Sequence, residues 1–113
     1  MKISLILFFK NTKDFDIINA HNIHFIYPFQ KAILMESEAY ATALINTNKL
    51  IFNMKIFQDK DMKDYTSYFH LAAMSSNSKI LKLLIDKNIL NESTINYVDS
   101  DGNSILMKAS ENL

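Results

Sequence analysis

The chain has no cysteine, no tryptophan and no arginine, and only one glycine and one proline among 113 residues. Without cysteine there is no disulfide framework, no thiolate zinc site and no cysteine nucleophile. The single glycine, Gly102, cannot build a P-loop or a G-x-G-x-x-G turn. Without arginine there is no bidentate recognition of phosphate or guanine. Nor is there an excess of positive charge: 12 lysines face 12 acidic residues, for a formal net charge of zero. Nucleic-acid affinity rests on clustered cationic excess, so no nucleic-acid partner is expected.

Long apolar runs are also missing. The most apolar stretch, Ile3 to Phe9, is interrupted by Ser4 and falls far short of the ~20 residues that span a bilayer. It continues into Lys10-Asn11-Thr12-Lys13-Asp14, with no pair of small residues to be cleaved. A buried helix is therefore expected there rather than a signal peptide. No membrane association is expected, and the chain reads as cytoplasmic or otherwise intracellular. What is present is a core: 49% hydrophobic and 21% charged residues indicate a folded chain, and the length indicates one domain. A domain this size buries roughly two thirds of its unfolded surface.

Three pentads align: Pro28-Phe29-Gln30-Lys31-Ala32, Tyr68-Phe69-His70-Leu71-Ala72 and Ile105-Leu106-Met107-Lys108-Ala109. Each places a large apolar residue second and alanine fifth. Twelve residues beyond Pro28 and Tyr68 stand Tyr40 and Ile80, and sixteen beyond stand Leu44-Ile45 and Leu84-Ile85. Two helices are thus spelled twice in one register. Leu81, Leu84 and Ile85 form a stripe that Ile80 and Leu83 widen. Ser76 or Asn77 is placed to cap that helix, and Asn88 to end it in a left-handed turn. Ser67 and Ser104 stand where a hydroxyl caps the shorter first helices. Ala72 and Ala73 leave room for a neighbouring helix.

The segment Ser67-Tyr68-Phe69-His70-Leu71-Ala72-Ala73, followed by Lys79 to Ile85, resembles the ankyrin repeat, with its T-P-L-H-x-A signature and two helices per ~33 residues. Asn96 to Ser104 is similar to the family's finger, and Asn19 to Tyr27 spans the same register upstream. The resemblance implies an all-α solenoid of stacked helix-turn-helix repeats, two full repeats flanked by half repeats. The divisions are 1–18, 19–66, 67–103 and 104–113, all within one domain. It also implies that His70 hydrogen-bonds backbone between repeats. The chain departs from the pattern in several ways. The repeat spacings are 40 and 37 residues, and both surpluses fall after the second helix, near Asn48 to Lys60 and Asn91 to Thr94. Enlarged loops are expected there. Tyr27 replaces a capping threonine, Tyr68 and Ile105 replace proline, and Phe25 and Tyr65 stand where Gly102 stands in the last finger.

No catalytic or metal-binding constellation survives inspection. Asp99, Asp101 and Asn103 have the alternate spacing of a calcium loop, but Ser104 and Ser110 stand where glycine and glutamate are required. A finger turn satisfied by aspartate side chains accounts for them better. His21 and His24 fall on a loop without further ligands. Glu36 and Glu38 point to different helix faces. No serine sits on a strand-to-helix elbow. Hence no enzyme, no cofactor and no metal are expected. Asn91-Glu92-Ser93 is a formal glycosylation acceptor only if the chain is secreted.

The expected function, implied by the resemblance, is protein–protein binding through a concave face of first helices and the finger loops. The partner-contacting positions are Lys63, Thr66, Met74 and Ser75 from one repeat, and Ser100, Asp101, Asn103 and Lys108 from the next. Met35 and Met74, late in the first helices, read equally as adaptable contact residues or as fillers of core gaps. The alternative function is that of a structural segment of a longer array without its own partner. Phe8, Phe9, Ile105 and Leu106 at the half repeats would then pair with further repeats or with another copy. The composition, with 15 isoleucines and 12 asparagines, resembles coding from an AT-rich genome. Delivery into a host cell is a further expectation, resting on that composition alone.

Overall fold

A computed structural model describes residues 18–75 and 79–111. All but the last residue of the half repeat expected in 1–18, and the caps expected at Ser76 or Asn77, lie outside the described residues. Helix α1 spans Pro28–Leu34 and α2 Glu38–Asn46, followed by strands β1 (Ile56–Phe57) and β2 (Tyr65–Thr66). Helices α3 (Tyr68–Met74), α4 (Lys79–Asp86) and α5 (Ile105–Ser110) complete the order. None of the described helices is long and apolar enough to cross a membrane.

The sequence dictates most helix ends. Ser37, Ser67 and Ser104 cap α2, α3 and α5: each Oγ accepts the N–H three residues on, from Tyr40, His70 and Met107, at 3.1 to 3.2 Å. Tyr27 offers no short hydroxyl to α1, and instead its own N–H donates to Gln30 Oε1 at 3.2 Å. Pro28 opens that helix, where its missing N–H is no loss. Asn48 and Asn88, equally placed beyond α2 and α4, both take the left-handed conformation at φ 58° and 59°. Asparagine tolerates that region, so both second helices stop at the same register.

The all-α expectation is overturned. Five helices are described beside a two-stranded antiparallel sheet, and fewer than half of the residues are helical, so the fold is a small mixed α/β globule. Ile56 pairs with Thr66 and Phe57 with Tyr65. The cause lies in the long connection after α2. After β1 the chain reverses near Met62, at φ 53°, and returns as β2. β-branched and aromatic residues at all four paired positions suit a pleated ribbon. In the flanking fingers, Phe25 (φ 59°) and Gly102 (φ 79°) do take the left-handed turn, Phe25 despite its side chain.

Helix α3 is central, lying against α1, α4 and α5, while α1 packs on α2 and α2 on α4. Phe29 and Phe69, second in their pentads, are fully buried. Phe52, from the long connection, lies between them, edge-on to Phe29 at 5.4 Å and stacked on Phe69 at 5.8 Å. Tyr68 closes the cluster edge-on to Phe29 at 5.1 Å, and Tyr97 covers the far side of Phe69 at 5.6 Å. Such pairs add about 0.5–1.5 kcal/mol beyond the area they bury. Ala32 and Ala72, fifth in their pentads, are buried and leave space for neighbouring helices.

Tyr68 carries an unresolved polar group. Its Oη is buried and has no hydrogen-bond partner among the described residues. Burial, and then the nearby Tyr27, push its ionisation far above the usual phenol range. Tyr68→Phe keeps the ring and removes the orphan hydroxyl. It is expected to raise unfolding stability by about 1 kcal/mol, read as a higher urea midpoint at unchanged slope. A loss of stability would show that the hydroxyl has a partner.

Candidate functional site

Segments far apart in sequence are joined by side chains that bond backbone groups. Asn19 Nδ2 donates to Lys49 O, and Ile51 N–H donates to Asn19 Oδ1, both at 2.8 Å. Phe57 N–H donates to Tyr27 Oη at 3.3 Å. Ser100 grips the β2 edge: its N–H and Oγ–H donate to Tyr65 O at 3.0 and 3.2 Å, and its Oγ accepts Tyr65 N–H at 3.0 Å. His70, fully buried, donates from Nε2 to Asn103 O at 2.8 Å, while Nδ1 meets Ser67 Oγ at 2.6 Å. Both ring nitrogens are spent on scaffold.

The last finger is organised by Asp99. Its buried carboxylate accepts N–H bonds from Asp101 at 3.0 Å and Asn103 at 2.9 Å, and the Asn103 side-chain amide at 3.3 Å. Burial by itself would raise the Asp99 pKa. The three hydrogen bonds and the nearby His70 outweigh it and hold the carboxylate below its ordinary range. The aspartate is therefore occupied as a turn residue. Among the described residues, no group of three or more His, Asp or Glu is placed to hold a metal ion. The Asn91 amide of the formal glycosylation acceptor donates to Asn88 O at 2.7 Å, and its Oδ1 accepts Ser93 N–H at 2.8 Å.

The eight expected contact residues differ in place and exposure. Met74 and Ser75 lie at the C-terminal end of α3, while Lys63, Ser100 and Asp101 sit on fingers. Thr66 is buried in β2. Asn103 serves the finger turn, and Ser100, although exposed, is committed to Tyr65. Lys108 is half-buried and pairs with Glu111 at 3.5 Å.

Around Met74 the structure adds residues that sequence reasoning missed. Gln30, Ile33, Leu34, Glu36 and Leu71 join Met74 and Ser75 around an apolar cleft of about 290 Å³ between α1 and α3. Ser75 Oγ–H donates across it to Glu36 Oε1 at 3.4 Å. Leu34 is 63% exposed, Met35 57% and Met74 42%. The two methionines are thus surface residues, not core fillers. The signal for Leu34 was available: it stands six residues beyond Pro28, as Met74 does beyond Tyr68.

No family model, no curated protein and no solved structure matches the chain.

Proposed function

We propose that this protein is a binding module that takes another protein on the face formed by the ends of α1 and α3. The observation that carries this reading is the cleft between those helices, which exposed Leu34 and Met74 both line over an apolar floor, with exposed Met35 next to Leu34 in the chain. Grouped apolar exposure on a small chain marks a contact surface more often than scattered single residues do. Methionine and leucine at such a place adapt to the shape of a partner. The scaffold behind the face is held by His70 and Asp99, which supports little rearrangement on binding.

The resemblance to ankyrin repeats belongs to the same proposal. It is supported by the repeated caps, the paired left-handed asparagines and the His70 bridge to Asn103. It concerns repeat origin and mode of binding, within the mixed fold described above.

The test uses a photo-reactive amino acid placed at residue 35 to identify a cross-linked partner, followed by Leu34→Glu and Met74→Glu. Each charge placed in the cleft is expected to weaken that partner's binding by about tenfold or more. Because both side chains are exposed, stability should change by less than about 0.5 kcal/mol. Unchanged affinity with both variants would remove this face from the proposal.

A second reading, in which the chain packs against further repeats or another copy, is favoured by one observation. Leu106 is 74% exposed at the pentad position where Phe29 and Phe69 are fully buried. A mass in solution that falls with dilution, and falls to monomer in Leu106→Glu, would support it.

A further inference from the structure

Asp101-Gly102 is the only aspartyl–glycyl pair in the sequence, and the fold sets it at the exposed tip of the last finger. In such a pair the backbone nitrogen of the glycine can attack the aspartate Cγ, because glycine has no side chain to obstruct the approach. The protonated carboxyl group loses its hydroxyl as water and a five-membered succinimide closes. Water then opens either carbonyl, giving aspartate again or isoaspartate, whose backbone carries an extra methylene. No oxidant or co-reactant is needed. A Cβ built on Gly102 would meet no heavy atom within 4 Å, so crowding does not protect the site.

Hydrogen bonding protects it instead. Gly102 N–H, the group that must become the nucleophile, donates to Asp99 O at 3.0 Å. Asp101 N–H is held on Asp99 Oδ1 at 3.0 Å, which fixes the backbone on the other side of the reacting carboxyl. Ser100, immediately before, is clamped to Tyr65 by three hydrogen bonds. The finger is therefore a closed form of a reactive pair.

We propose that Asp101-Gly102 is a spontaneous isoaspartate site, gated by opening of the finger and guarded by Asp99 and Ser100. The consequence is local and structural. The extra methylene enters one residue before Gly102 and two before Asn103, whose carbonyl receives His70. Conversion therefore loosens the joint between α3 and the last finger. The proposal is independent of the binding face on α1 and α3.

The test is incubation of the full chain in oxygen-18 water near neutral pH, with peptide mapping of label and of isoaspartate. Passage through the succinimide leaves one heavy oxygen at the reacting residue. Label is expected at Asp101 before any of the other aspartates, about tenfold more slowly in the native chain than in urea, because reaction waits on local opening. Gly102→Ala should suppress it in urea as well. Asp99→Ala and Ser100→Ala should each speed it in the absence of urea. If Asp99→Ala fails to fold, Ser100→Ala, checked by circular dichroism, carries the test. Label spread evenly over the aspartates would overturn the site. Equal rates in native buffer and urea would overturn the gating.

Discussion

Phe69→Ala is expected to destabilise the protein by about 3–5 kcal/mol, while Leu106→Ala, at the same pentad position, changes stability by less than about 0.5 kcal/mol. Phe69 is fully buried, stacked on Phe52 and met edge-on by Tyr97. Its removal forfeits the transfer term and leaves a cavity between two rings that cannot both collapse into it. Leu106 is 74% exposed and leaves no cavity. Folded domains are stable by about 5–15 kcal/mol, so the Phe69 variant would lose a third or more of the total. Urea unfolding followed by far-ultraviolet circular dichroism measures both. Comparable losses in the two variants would mean that Leu106 is covered in solution, for which the mass measurement under the second reading supplies the independent check.

The next largest effect is expected at Asp99. Three hydrogen bonds end on its buried carboxylate, and with the backbone bonds of Gly102 N–H to Asp99 O and Asp99 N–H to Asn103 O they frame the finger that receives His70. Asp99→Ala should cost about 2–3 kcal/mol at neutral pH, bonds to a charged acceptor being worth more than neutral ones. The pH dependence follows from the direction of its shift. The folded pKa lies below the unfolded one of about 3.9, so the unfolded chain binds the proton first as pH falls. The stabilisation is complete above about pH 4 and drains away as pH drops through the lowered folded value. The wild type and Asp99→Ala should therefore converge in stability in acid. Asp99→Asn, which keeps an acceptor oxygen but not the charge, should lie between them at neutral pH and lack this slope. A constant gap between wild type and Asp99→Ala down to pH 2 would contradict the assignment.

Helix positions were legible because they are written in short-range chemistry. Ser67 and Ser104 cap the helices they precede, and Asn88 takes the left-handed turn assigned to it. The His70 side chain bonds the Asn103 carbonyl, a partner that the sequence does not name. The strands were not legible. Ile56–Phe57 and Tyr65–Thr66 are two residues each, too short for any alternation, and they exist only because the intervening turn brings them into register. The contact surface was half legible. Met74 was named from its place in the repeat, but Leu34 at the equivalent place was passed over. Thr66 and Asn103 looked like contact residues because small polar side chains in a finger read the same whether they face solvent or scaffold.

What the sequence determined is the set of local commitments: where helices start and stop, which faces are apolar, and which turn residues hold their own backbone. Those depend on neighbours three or four positions away, and the chain states them directly. What only the tertiary structure decided is the meaning of repeated positions. Phe29, Phe69 and Leu106 share one register, yet Phe52, Tyr68 and Tyr97 cover the two phenylalanines, and nothing comparable among the described residues covers the leucine. Burial is a property of the partner across the interface, and the partner is set by folding at long range.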